Sequence, residues 1–433
     1  MTSIEVRRSR VNGTLRCPSS KSYTHRAIAI SSLADGFSTL VHVLLARDTL
    51  ATITGCSAFG AKIKYDATEM GIEGSAHFHP PDNIINAENS GTTIRLLTAM
   101  SGLVRTGYTV LTGDESLRTR PMQPLLDALR QLGVEAYSTK GNGTPPIIVK
   151  GAGIKGGTTV VDGGISSQFI SALLLTSIYA DTETTLKVRG NLVSKPYVSA
   201  TLATMKHFGV SIDHSPDMLE YHIKNARYRS AKFDVPCDFS TAALILAAGA
   251  LVGEKVSVRG LNFEMPQGDS RIIDILKQMG SVIKVDEAKG EVTITCVDRL
   301  EGGDFNLSDT PDLLPVVSIL ALKAASPVTI TGVAHARVKE TDRISNIATE
   351  LLKFGADIKE FHDGLRITAP PIMRNASVEA HNDHRLFMAF TIASMMTEKS
   401  MVAGAQSVDV SYPNFISDMK NIGGIIAPAA DRE

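Results

Sequence analysis

Six times along this chain, apolar or small residues stand eight, four and one positions before a glycine, and any fold must accommodate all six copies. The glycines are Gly60, Gly133, Gly209, Gly280, Gly355 and Gly423, separated by 73, 76, 71, 75 and 68 residues. The clearest copies are Leu125, Leu129 and Leu132 before Gly133, and Ile272, Leu276 and Met279 before Gly280. Two more are Ile347, Leu351 and Phe354 before Gly355, and Phe415, Met419 and Ile422 before Gly423. An apolar stripe of this period describes an amphipathic helix, and the glycine supplies the left-handed residue on which such a helix ends. Six units of about 72 residues tile the 433 positions.

A second set of helices interleaves with the first, each with a polar or glycine-rich start and an apolar surface on most sides. They begin near Ser20, Asn89, Ser166, Asp238, Asp312 and Asp383. Short alternating strands, as at 108–111, 185–188, 256–258 and 328–330, lie between the two helices of a unit. The pattern predicts an α/β protein with the all-apolar helices inside and the striped ones outside. Six units can form one ring or two groups of three. The size limit on a single core and the Pro236-Cys237-Asp238 crossing near the middle favour two groups. A short strand at 4–7, pairing with the second half, would put both crossings side by side as a double hinge. The expected domains are therefore 1–15 plus 237–433 and 16–236, with a site in the cleft between them.

Lysine and arginine number 44 against 45 acids, a net charge of −1, so no global field points to nucleic acid or to a charged membrane. Cys17, Cys56, Cys237 and Cys296 are far apart and show no metal-ligand spacing, so neither a structural metal nor a disulfide framework is expected. The N-terminal residues contain no apolar stretch of signal type and no run reaches membrane length, which places the protein in the cytoplasm.

Several all-apolar helices start with groups suited to anions: Ser20-Lys21-Ser22, Asn89-Ser90-Gly91-Thr92 and Ser166-Ser167-Gln168. Backbone N–H groups at a helix start bind phosphate or carboxylate, although serine and asparagine there are also ordinary caps. Arg26 shares a face with Ser22, and Arg95 with Asn89 and Thr92. Inside an apolar helix an arginine needs an anion or a carboxylate, so Arg95 is read as a ligand or a salt-bridge partner. Loops after the strands add Arg118 and Arg120, Ser194 and Tyr197, and the run from Arg337 through Lys339 and Glu340 to Arg343. Asp312 is expected to open a buried helix, Glu340 to lie among cations, and Asp383 to cap the helix of His384 and Arg385. Neighbouring cations would keep these carboxylates ionised and able to act as bases.

The strings PSSKSYTHRA, NSGTTIRLL, LRTRPM, DGGISSQFISALL, RVKETDRI and NDHR, in this order from residue 18 to 385, resemble those of 5-enolpyruvylshikimate-3-phosphate synthases. The resemblance implies a two-domain inverted α/β barrel of six units and transfer of the enolpyruvyl group of phosphoenolpyruvate to the 5-hydroxyl of shikimate 3-phosphate. By the same resemblance Lys21, Ser22, Arg26, Ser166, Ser167, Gln168, Ser194, Tyr197, Asp312 and Lys339 hold shikimate 3-phosphate. Lys21, Asn89, Gly91, Thr92, Arg120, Gln168, Arg343, His384 and Arg385 meet phosphoenolpyruvate, and Lys21, Asp312 and Glu340 are the catalytic candidates. The resemblance also implies a monomer without metal or cofactor, inhibited by glyphosate beside Gly91, where the lack of a side chain is read as open space. Three positions depart from many relatives: Val410 replaces a lysine, His335 an asparagine and Leu96 a proline. A sister transferase acting on UDP-N-acetylglucosamine is the nearest alternative. It is disfavoured by Ser22 after Lys21 and by the absence of cysteine between Cys56 and Cys237. A non-catalytic anion-binding repeat protein is the alternative from another class, disfavoured by the desolvation that its inward-facing charges would cost.

Overall fold

The computed structural model describes residues 2–75 and 78–429. Two compact units emerge, one from Ser19 to Pro236, the other joining the residues up to Pro18 to those from Cys237 onward. The first crossing thus falls after Pro18, three residues beyond the expected boundary.

Among the described residues the helices in chain order are α1 (Lys21–Leu33), α2 (Arg47–Ala58), α3 (Gly91–Ser101), α4 (Gln123–Gln131), α5 (Ser167–Ser177) and α6 (Lys195–His207). The other unit follows with α7 (Phe239–Val252), α8 (Ile272–Gln278), α9 (Leu314–Leu320), α10 (Arg343–Lys353), α11 (His384–Ser394) and α12 (Phe415–Asn421). The odd-numbered helices are the apolar ones: every residue of α7 from Phe239 to Leu251 is buried, as is every residue of α11. The even-numbered helices bury one stripe, which in α10 comprises Ile344, Ile347, Ala348 and Leu351 together with Arg343 and Glu350.

Each even-numbered helix runs into its glycine in the left-handed region, with φ of 107° at Gly60, 82° at Gly133, 86° at Gly209, 77° at Gly280, 95° at Gly355 and 109° at Gly423. In all six the glycine N–H donates to the carbonyl three residues back, at 2.9–3.0 Å. A side chain would be strained at any of them, which is the physical content of the sequence spacing.

Among the described residues the strands form six sheets of four, and each sheet has the same make-up: one parallel pair, then two antiparallel pairs. In one sheet Gly157–Asp162 pairs in parallel with Thr184–Arg189, which continues antiparallel through Glu220–Ile223. The N-terminal residues complete two sheets of the other unit. Ser3–Arg7 lies between Lys399–Ala403 and Ile425–Pro428, and Val11–Arg16 runs parallel to Gly253–Arg259. This pairing is why residues up to Pro18 belong with the second half of the chain. Among the described residues no helix is long and apolar enough to cross a membrane.

Candidate active site

In the unit from Ser19 to Pro236, Lys21 is the first residue of α1 and follows Ser20 at the N-cap. Its Nζ lies 2.9 Å from Oδ2 of Asp48 at the start of α2, with the lysine side chain 15% and the aspartate 6% exposed. The second oxygen of Asp48 is buried without a hydrogen-bond partner among the described residues, so this carboxylate serves the lysine through one oxygen. Five residues on, Arg26 is buried and donates to four acceptors. Its Nε donates to Thr201 Oγ1 at 2.7 Å, Nη1 to the Ser22 carbonyl at 2.9 Å, and Nη2 to the Tyr197 carbonyl at 3.0 Å and Ser171 Oγ at 3.4 Å. Burial pushes the Arg26 guanidinium down to about 10. Arg26 therefore ties α1 to the start of α6. There Ser194 holds a left-handed φ of 57°, an uncommon conformation for serine that turns the chain into the helix carrying Tyr197.

The starts of α3 and α5 meet through Gln168. Arg95 Nη1 donates to Gln168 Oε1 at 2.6 Å and to Ser166 Oγ at 3.4 Å, while Gln168 Nε2 donates to Thr92 Oγ1 at 3.0 Å. The guanidinium also stands 5.1 Å from the centre of the Phe169 ring. Arg95 thus reaches an amide and a hydroxyl acceptor at the start of α5. Arg120, following the 3-10 turn Leu117–Thr119, donates to Asn89 Oδ1 at 2.8 Å and to Ser116 Oγ at 3.1 Å, and Asn89 passes its own N–H to Asp114 at 2.7 Å. The space at Gly91 is not open. A Cβ built there would lie 3.1 Å from Arg120 Nη1 and 3.5 Å from Arg95 Nη1. A methyl at Gly91 would crowd these two guanidinium groups.

The second constellation belongs to the unit from Cys237 and centres on Arg343, whose side chain is 1% exposed. Its Nη1 donates to Asp312 Oδ1 at 2.8 Å, Nη2 to Glu340 Oε2 at 2.8 Å, and Nε to Asp383 Oδ2 at 2.7 Å. Arg385 Nη2 takes the other Asp312 oxygen at 2.9 Å. Asp383, wholly buried, also caps α11 by accepting from the Arg385 N–H at 2.8 Å, as the sequence suggested. His384 is buried beside it. Asp312 does not open a helix: it sits inside the 3-10 turn Pro311–Leu313, one turn ahead of α9. Burial alone would raise its carboxyl, but the charges of Arg385, Arg343 and Lys339 overcome that and hold it well below the usual carboxylate range.

Two further groups, Asp48 and Asp269, had no sequence signal, and a third, His335, was marked only as a departure. Asp48 lies on a different helix from the lysine it serves. Asp269 is buried, accepts from the Ser240 hydroxyl, and is pushed up to about 7 by burial and by the charge of Asp312. His335, at one of the departing positions, is buried and lowered to about 4 by that burial and by Lys339. The other two departures, Leu96 and Val410, are both buried apolar side chains.

The chain matches the family model described as EPSP synthase (3-phosphoshikimate 1-carboxyvinyltransferase) over residues 6–419. A curated 3-phosphoshikimate 1-carboxyvinyltransferase of Nitrosopumilus maritimus is 45% identical, covering 98% of this chain and 99% of its own length. One from Methanosphaera stadtmanae is 41% identical over 96% and 97%. Among solved structures, an EPSP synthase from Acinetobacter baumannii superposes with a TM-score of 0.83 at 26% identity, covering 99% of this chain and all of that one. The enolpyruvyl transferase NikO from Streptomyces tendae, at 18% identity and a TM-score of 0.79 over 100% of this chain and 99% of its own, shares the fold.

Proposed function

The chain belongs to the EPSP synthase family, and on that premise we propose how its residues carry the reaction. It is a transferase of the shikimate pathway, moving the enolpyruvyl group of phosphoenolpyruvate to shikimate 3-phosphate in aromatic amino acid biosynthesis. Shikimate 3-phosphate is held by Lys21, Ser22, Arg26, Ser166, Ser167, Gln168, Ser194, Tyr197, Asp312 and Lys339. Phosphoenolpyruvate takes Lys21, Asn89, Gly91, Thr92, Arg120, Gln168, Arg343, His384 and Arg385. With Val410 where many relatives carry a lysine, Lys21, Arg120, Arg343 and Arg385 neutralise the donor's charge.

In the addition step the 5-hydroxyl oxygen attacks C2 of phosphoenolpyruvate, its proton leaves, and C3 gains a proton, giving a tetrahedral ketal. Elimination returns a proton from C3 and expels phosphate. Asp312, whose carboxyl its cationic neighbours hold low, accepts a proton and does not supply one, so it takes the hydroxyl proton, and Glu340, bonded to the same guanidinium, serves as the second acceptor. Lys21 supplies the proton to C3. The observation that carries this reading is Asp312 pinned between Arg343 and Arg385, each taking one of its oxygens.

The finer fold, an inverted α/β barrel of six units in two domains, is supported by the shared pairing of six sheets and the six left-handed glycines. The protein works as a cytoplasmic monomer and is inhibited by glyphosate in competition with phosphoenolpyruvate. Phosphate release from phosphoenolpyruvate, assayed with shikimate 3-phosphate and with UDP-N-acetylglucosamine in separate reactions, tests the function. Release with the first alone is expected, and release only with the second, or with neither, overturns it.

A further inference from the structure

Cys296 and Lys323 stand apart from both constellations, in the wall of a cavity of about 860 Å³ within the unit from Cys237. Cys296 follows the strand Glu291–Thr295, and Lys323 closes the 3-10 turn Ala321–Lys323, 27 positions later. The two side chains meet around one carbonyl. Lys323 Nζ donates to the Leu251 oxygen at 2.8 Å, and the Cys296 thiol donates to the same oxygen at 3.3 Å. Between them, Nζ and Sγ are 2.7 Å apart. That distance is at the short end even for N–H···O, and sulfur is the larger acceptor. It is the separation that nitrogen and sulfur take when one oxygen atom joins them through two single bonds. Both residues are half-buried and border the cavity, so a small oxidant can reach them. Cys17, Cys56 and Cys237 are buried instead.

We propose that Cys296 and Lys323 form a modification site, an Nζ–O–Sγ bridge made by dioxygen and undone by thiols. In the forward step the thiol and the amine react with one dioxygen. The S–H bond, one N–H bond and the O–O bond break, S–O and O–N bonds form, and the second oxygen leaves as water. Sulfur and nitrogen each lose two electrons, and dioxygen takes up four. Two equivalents of a dithiol reverse it, returning thiol, amine and water with two disulfides. This outcome leaves the usual oxidation ladder of an accessible cysteine because the amine captures the oxygen on sulfur before a second oxidation occurs.

The test uses the full chain, purified under dithiothreitol and divided between anaerobic buffer and dioxygen-saturated buffer. Intact mass is expected to rise by one oxygen less two hydrogens in dioxygen alone. After digestion the peptides of Cys296 and Lys323 are joined, trypsin no longer cleaves after Lys323, and dithiothreitol reverses both changes. Cys296→Ser and Lys323→Arg each abolish the mass change, and the wild-type measurement decides the matter if either variant fails to fold. An unchanged mass, or Cys296 recovered as sulfinic acid with cleavage after Lys323 intact, overturns the proposal.

Discussion

The two constellations treat positive charge in opposite ways. In the unit from Ser19 to Pro236, Arg26 and Arg120 donate to hydroxyl, amide and carbonyl oxygens, and among the described residues neither has a carboxylate within ion-pair distance. In the unit from Cys237, Arg343 is surrounded by three carboxylates, and Arg385 shares one of them. Neutral acceptors fix a guanidinium without cancelling its charge, which leaves it available to an anion. Carboxylates offset part of that charge, and the cations around Asp312 hold its carboxyl low, which suits proton acceptance. Lys21, paired to one oxygen of Asp48, differs from Arg26 and Arg120 and is the group assigned a proton to give. The contrast assigns anion binding chiefly to one unit and proton acceptance to the other.

The largest effect is expected at that lysine. Lys21→Met should cut phosphate release by about 10³-fold or more while the far-ultraviolet circular dichroism stays unchanged, because general acid–base groups contribute on this scale and the substitution keeps the stem. Turnover near wild type would remove Lys21 from the chemistry.

Asp383→Ala comes next and strikes the fold. It strips the α11 cap and one of the three carboxylates on a buried arginine, and should lower unfolding free energy in urea by about 3–5 kcal/mol. A loss below about 1 kcal/mol, the scale of an exposed pair, would mean that Arg343 needs only Asp312 and Glu340.

Asp269 sharpens the comparison through pH. Its carboxyl is raised from the usual 3.8 to about 7, so between those values the native state keeps a proton that the unfolded chain has released. Its contribution to stability therefore falls as pH rises through that window. His335, lowered from 6.5 to about 4, acts in the other direction, its contribution being lost as pH falls through its own window. Asp269→Asn should thus match wild type near pH 4 and exceed it at pH 8 by up to about 4 kcal/mol. Equal stability at both pH values would contradict the assignment.

The smallest effect is at Gly91. A methyl 3.1 Å from Arg120 Nη1 must push the guanidinium by a few tenths of an ångström. Gly91→Ala should weaken glyphosate inhibition by about tenfold, some 1.4 kcal/mol, with less change in the Michaelis constant for phosphoenolpyruvate. Unchanged inhibition would place the inhibitor elsewhere.

How much of this was legible follows from what is periodic. The glycine-ended helices and the buried helices are local patterns that repeat, and both were readable from spacing, whereas the pairing of the N-terminal strand with the second half, some 400 residues away, was only a conditional expectation. The Asp383 cap and the Glu340 ion pair were readable because their partners lie within three residues. The acceptors of Arg95 were not readable, because Gln168 and Ser166 reach it across 73 and 71 residues of chain. Asp48 and Asp269 carry no motif, since what makes them matter is a neighbour from another helix. The left-handed Ser194 was equally hidden, because nothing in Ser-Lys-Pro-Tyr announces a positive φ.

The division between anion binding and proton acceptance is tested most directly at Asp312, by measuring turnover and shikimate 3-phosphate affinity for Asp312→Asn side by side. The amide keeps the shape and one acceptor oxygen but cannot take the hydroxyl proton. Turnover is predicted to fall by about 10²–10⁴-fold while the dissociation constant changes by less than about tenfold. Turnover that is unchanged, or that falls only in step with weakened binding, would contradict the account.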